Sequence, residues 1–155
     1  MTKNSKAGDE AEIRRIIEAW TAGIQGKDVD AVMKHAAPGI LSYDLAPPLA
    51  SRGAETYRKN LQAWFPTFDG PIVFEPRELE ITVGGDVAFS TSLNRIGGSK
   101  TSGEQAHVWA RVTVGFRKID GRWMVTHEHA STPLYMDGSY KAAVDLSPDD
   151  RGGAG

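Results

Sequence analysis

The dipeptide Asp120-Gly121 constrains the fold most, because it separates two long runs of strand-type sequence, 104–119 and 122–131. Asp-Gly between alternating apolar and polar residues favours a tight hairpin, since both positions tolerate left-handed backbone. Two further strand-like runs, 72–83 and 87–96, end at Gly84-Gly85-Asp86 and Gly97-Gly98. Before Pro66 the period changes. Ile13, Ile16, Ile17, Trp20 and Ile24 recur at helical spacing from a start at Asp9, where Glu12 completes a capping box, and Gly26 ends the stripe. Asp28 caps a second, shorter helix carrying Val29, Val32, Met33 and Ala36, which Pro38-Gly39 stops. Residues 40–44 read as a short strand, and Ala46-Pro47-Pro48 as a loop. A third helix is expected over 54–65, with Tyr57, Leu61, Trp64 and Phe65 on its buried side. Helices followed by a run of strands imply an α+β fold, with three helices packed on one face of a curved antiparallel sheet.

Composition fits one domain. A globular chain of 155 residues buries roughly 68–70% of its unfolded surface, enough for a full core. Eighteen Lys and Arg against twenty Asp and Glu give a net charge of −2, which argues against a nucleic-acid partner. The absence of cysteine excludes disulfides, Cys-ligated zinc and thiol catalysis. No apolar run approaches the ~18 residues that cross a bilayer, and the start, Met1 to Lys6, carries no secretory pattern. The expectation is a soluble cytoplasmic protein with no membrane partner, no metal and no cofactor. Residues 1–8 are expected to fray, 9–133 to form the domain and 134–155 to make a surface tail.

Two places carry chemistry. In 122–131, strict alternation puts His127, His129 and Ser131 on one face with Trp123 and Val125. The preceding run has an apolar face (Val108, Ala110, Val112, Val114, Phe116) and a polar one (His107, Trp109, Arg111, Thr113, Arg117). A two-residue turn pairs His127 with Val114; a three-residue turn with a bulge at Gly121 pairs it with Thr113. The second is preferred, because Ile119-Asp120-Gly121 suits a type I turn followed by a left-handed glycine. It gathers Trp109, Arg111, Thr113, His127 and His129. The His pair also reads as a hydrogen-bonded structural feature. As a metal set it lacks a carboxylate, because Glu128 points to the other face. Arg111 in mid-strand needs a carboxylate, an anionic ligand or a subunit interface.

Asp44 ends the apolar stretch Ile40-Leu41-Ser42-Tyr43, where desolvation raises a carboxyl pKa and suits it to proton transfer. It equally reads as a cap of the proline loop or a partner of Arg52. Trp20, Tyr57, Trp64, Phe65 and Phe68 offer aromatic walls opposite the sheet, as in a half-apolar ligand cavity.

Three stretches resemble the nuclear transport factor 2-like superfamily, in its ketosteroid-isomerase-like and SnoaL-like branch, over about residues 9–133. They are Ile16 to Trp20 leading into Gly26 to Val32; Tyr43-Asp44 leading through the prolines to Arg52-Gly53; and Asp120 to Trp123 followed by His127 to Ser131. The last is also similar to the association domain of calmodulin-dependent kinases. The resemblance implies a cone-shaped α+β barrel, a small-molecule ligand and commonly a homodimer. It puts Asp44 where ketosteroid isomerases keep a general-base aspartate, and Trp20 where they keep an oxyanion-hole tyrosine. No acid near Arg111 and Thr113 matches their second donor, so steroid isomerisation is not implied. The expected function is acid–base chemistry on a small, partly apolar carbonyl or anionic compound. Asp44, His127 and Arg111 act in that reading; Trp20, Tyr43, Trp64, Trp109, Thr113 and His129 line the site. The alternative is a non-catalytic binding or oligomerisation domain.

Overall fold

In the computed structural model, which describes residues 5–153, Ser5 rather than Asp9 opens the first helix. Helix α1 spans Lys6–Gln25, and the Ser5 hydroxyl accepts from the Gly8 amide at 3.0 Å. The expected frayed segment therefore falls outside the described residues at 1–4, and the chain is helical from Lys6. Asp9 turns inward instead. It is buried, and its Oδ1 accepts from the Trp123 indole at 3.0 Å and the Lys118 ammonium at 3.1 Å. A capping role keeps a carboxylate at the helix surface. Here the carboxylate ties the start of the helix to the sheet. Ile13, Ile16 and Ile24 form the buried stripe, and Gly26 ends it.

Helix α2 spans only Val29–Met33, capped by Asp28, whose Oδ1 accepts from the Ala31 amide at 3.1 Å. Strand β1, Ala36–Tyr43, follows at once. Pro38-Gly39 does not stop a helix; it is an exposed irregularity within this strand, where the register with its neighbour shifts. Strand β2 is Ser51–Arg52, and helix α3, Ala54–Trp64, runs into a 3₁₀ turn at Phe65–Thr67. Strands β3 (Val73–Gly84), β4 (Val87–Ser99), β5 (Gln105–Ile119) and β6 (Arg122–Ser131) complete the sheet.

The order across the sheet is β2-β1-β6-β5-β4-β3. All neighbours are antiparallel except β1 and β6, which pair in parallel. The sheet is the expected antiparallel-dominated one, and its single parallel pair needs a long crossover, supplied by α3 and the β3–β5 meander. The three helices and the curved sheet make the cone-shaped α+β fold. Trp123, Phe116, Ile13, Ile40 and Val32 fill the core between the helices and one end of the sheet. A smaller cluster, Ile96, Ala110, Val112 and Ala130, lies nearer the other end.

The β5–β6 hairpin differs from expectation in one residue. Ile119 pairs with Arg122, and Asp120 and Gly121 both have positive φ (51° and 78°), so the turn has two residues, not three. The bulge lies at Thr126 instead: Phe116 faces Val125, yet Gly115 faces His127. One extra residue in a strand reverses its alternation beyond that point. Trp123 and Val125 point toward the helices, and so do Glu128 and Ala130. His127, His129 and Ser131 point away.

Candidate functional site

A cavity of about 780 Å³ opens between the helices and the concave face of the sheet. Trp20 of α1 and Leu61 and Trp64 of α3 wall it on one side, and Phe74, Val112, Val114 and Phe116 on the other. Its size and apolar lining suit a drug-sized organic molecule. Trp20 packs edge-to-face on Tyr57, with ring centroids 5.8 Å apart.

Glu128 projects into this space from β6 beside Val114 of β5. The residue is half-buried, and the surface it keeps faces the cavity. Ser42, buried on β1, donates to its Oε2 at 3.1 Å, and the Tyr57 hydroxyl lies within hydrogen-bonding reach. Burial raises the Glu128 carboxyl to about 7, and the negative charge of Asp44 adds to the shift. The hydrogen bonds from Ser42 and Tyr57 act in the opposite sense and are outweighed. Tyr57, buried on α3, is itself pushed well above the usual phenol range, first by burial and then by the charges of Glu128 and Asp44. It stays protonated at any ordinary pH. A carboxyl poised near neutrality inside an apolar cavity can both take and return a proton.

The residues singled out in the sequence divide between the two faces of the sheet. Trp20 and Trp64 line the cavity. Asp44 stands at its rim but is exposed, not buried: β1 ends at Tyr43, and Asp44 already belongs to the loop. Its Oδ1 accepts from the Leu45 amide at 2.7 Å, while Arg52 donates to the Gly39 carbonyl. Trp109, Arg111, Thr113, His127 and His129 do share one face, but it is the outer one, because the Thr126 bulge turns that side of β6 outward. There His127 Nδ1 donates to the Leu41 carbonyl at 2.7 Å, which fixes its tautomer. Tyr43 packs edge-to-face on both imidazoles, at 4.9 and 5.4 Å. Arg111 is exposed and donates to Ser131 Oγ at 3.2 Å, and the Arg77 guanidinium lies 5.2 Å from the Trp109 ring centre. The apolar row Val108, Val112, Val114 and Phe116 faces the cavity. Among the described residues no cluster of three His, Asp or Glu side chains is arranged to hold a metal ion, and no helix is long and apolar enough to cross a membrane.

Glu128 and the hydroxyl of Tyr57 are candidate site residues that sequence reasoning missed. The available signal was a carboxylate on the strand face opposite the histidines. That face meets the apolar row of β5, and a lone acid among valines is a perturbed acid.

Comparison with known proteins agrees with this architecture. The SnoaL-like domain family matches residues 13–135. A search of curated proteins found no match to the sequence. Among solved structures, an NTF2-like protein of unknown function from Pseudomonas putida KT2440 is 33% identical, with a TM-score of 0.83, over 94% of this chain and 100% of that one. A candidate ketosteroid isomerase from Shewanella frigidimarina is 26% identical, with a TM-score of 0.65, over 76% of this chain and 92% of that one. The association domain of C. elegans CaMKII, 17% identical with a TM-score of 0.63 over 84% of this chain and 100% of that one, shares the fold. With the helices, the cone-shaped sheet and the cavity between them in place, the chain belongs to the SnoaL-like domain family of the NTF2-like fold.

Proposed function

We propose that this protein is an acid–base enzyme acting on a small, partly apolar carbonyl compound, with Glu128 as the proton-transferring group. One observation carries the reading: a carboxyl raised to about 7 projects into an apolar cavity of about 780 Å³. As carboxylate, Glu128 removes a proton from the carbon beside the carbonyl; as the acid, it returns the proton to the same or a neighbouring atom. Tyr57 donates to the carboxylate and orients it. Asp44 at the rim keeps the proton affinity of Glu128 high. The indoles of Trp20 and Trp64 shape the apolar walls against which the substrate lies. Arg111, His127 and His129 take no part, because they lie on the opposite face. The Shewanella relative, named as a candidate ketosteroid isomerase, supports the reaction class.

The test is α-proton exchange of 2-tetralone in deuterated buffer, followed by NMR. The protein is expected to accelerate exchange with a midpoint near pH 7, and Glu128→Gln to lose that pH-dependent part. Tyr57→Phe is expected to move the midpoint upward, since a hydrogen bond to the charged form is lost. Exchange that is indifferent to Glu128→Gln refutes the reading.

Assembly is a separate matter. The outer sheet face exposes Val87, Phe89 and Tyr43, at 51, 47 and 37%, and the kinase association domain shares this fold. This face is the proposed homodimer contact, in a cysteine-free protein proposed to be cytoplasmic. Light scattering at low micromolar concentration is expected to give twice the monomer mass and, for Phe89→Glu, the monomer mass. A monomeric wild type refutes it.

A further inference from the structure

The cavity holds a second polar feature, which the acid–base reading leaves unused. Ser90, Ser92 and Asn94 occupy alternate positions of β4 and all face the cavity, in register with Val114, Val112 and Ala110 of β5. Ser90 and Asn94 are almost wholly buried, at 2 and 3% exposure. The Ser92 hydroxyl donates to Asn94 Oδ1 at 2.7 Å. That bond satisfies the amide oxygen and leaves the amide nitrogen, with two N–H donors, without a protein partner among the described residues. The Ser90 hydroxyl has none either. Buried polar groups are ordinarily paired, and because no fully enclosed side-chain nitrogen or oxygen lacks a partner among the described residues, these two atoms keep surface open to the cavity. A molecule in the cavity can reach this donor and pair with it.

The donor's position relative to Glu128 defines the ligand. Glu128, Val114 and Ser90 lie in one row across β6, β5 and β4. Asn94 lies four residues farther along. With strands about 4.8 Å apart and about 3.3 Å per residue, Asn94 is roughly 16 Å from Glu128 between Cα atoms. The side chains and the curvature of the sheet shorten that span at ligand level. Between the two ends the floor is Val112 and Val114.

We infer that Asn94, oriented by Ser92, is a ligand-binding residue whose amide N–H donates to the distal oxygen of an elongated, two- or three-ring apolar compound whose other end presents its reactive carbonyl to Glu128. A donor-only amide selects an acceptor such as a ketone, ether or methoxy oxygen. The apolar floor selects a carbon framework between the two oxygens. The assignment rests on the proposed role of Glu128 for the reactive end alone; the distal subsite stands or falls by itself.

Isothermal titration of the full chain with 2-tetralone and 6-methoxy-2-tetralone tests it. The two differ by one distal acceptor oxygen. Wild type is expected to bind the methoxy ketone about tenfold more tightly. Asn94→Leu, which removes the donor at similar volume, is expected to abolish the preference. Ser92→Ala, a milder change that frees the amide to rotate, is expected to reduce it. Glu128→Gln is expected to keep it. A preference absent from wild type, or retained in Asn94→Leu or in full in Ser92→Ala, overturns the subsite, and so does failure of both ketones to bind. A preference that behaves as expected, alongside proton exchange indifferent to Glu128→Gln, supports the subsite and removes only the catalytic reading.

Discussion

Replacing Glu128 by glutamine is expected to make the protein more stable, by an amount that grows with pH. The folded state holds the Glu128 carboxyl at about 7, against an ordinary value of 4.5. Below about pH 4.5 both folded and unfolded chains carry the proton, so the raised value has no consequence. Between 4.5 and 7 the unfolded chain releases the proton while the folded protein retains it, and folding becomes progressively less favourable. Above 7 the folded protein carries a desolvated carboxylate, and the penalty levels off at about 3 kcal/mol. Glutamine is near-isosteric with the protonated acid, still accepts from Ser42 and Tyr57, and never ionises. Thermal unfolding at pH 5 is therefore expected to differ little between the two proteins, whereas at pH 8.5 the variant melts roughly 6–12 °C higher. A melting difference that does not change with pH would show that Glu128 is not a desolvated carboxyl. Exchange activity lost together with stability gained is the pattern of a group retained for chemistry.

A second substitution acts on the backbone. A Cβ built on Gly97 would stand 1.9 Å from the Ala106 carbonyl oxygen and 2.8 Å from Ala106 C and His107 Nδ1. The neighbour is main chain in a paired strand, so no side-chain rotation relieves the overlap. Gly97→Ala is expected to lower stability by about 3 kcal/mol or more, because β4 and β5 must part where they are hydrogen-bonded. Gly39→Ala provides the control: a Cβ there meets nothing within 4 Å, and its effect is expected to stay within about 0.5 kcal/mol. Urea denaturation of both variants decides the matter, and equal midpoints would refute the close approach of the strands.

Much of this fold was legible in the sequence, because its signals are local. Asp120-Gly121 marks a hairpin through its own backbone preferences, Asp28 marks a helix start, and the isoleucine stripe of α1 marks a buried face. What failed was long-range. Asp9 resembles a helix cap, but Trp123 and Lys118, more than a hundred residues away, draw it into the interior. Pro38-Gly39 resembles a helix stop, yet it lies within a strand that pairs with β6, far along the chain. The outward placement of His127 and His129 follows from a bulge that no residue type announces. The apolar row of β5 was recognised as one face, and Glu128 was assigned to the face away from the histidines. The polar face with its histidines was the expected lining, and the bulge turns those histidines out and brings Glu128 in.

The bulge at Thr126 has a consequence for how such a protein diverges. Along 127–131, side chains alternate between two chemistries: imidazole and hydroxyl on one side, carboxyl and methyl on the other. Whether one residue stays out of the ladder determines which set the cavity receives. Drawing Thr126 into the ladder opposite Gly115 would deliver His127, His129 and Ser131 inward and send Glu128 to the surface, with every other strand in place. In this architecture a change of register is thus a change of reagent, so chains of one overall shape can present different acids and bases to the cavity without a substitution at either histidine or at the glutamate.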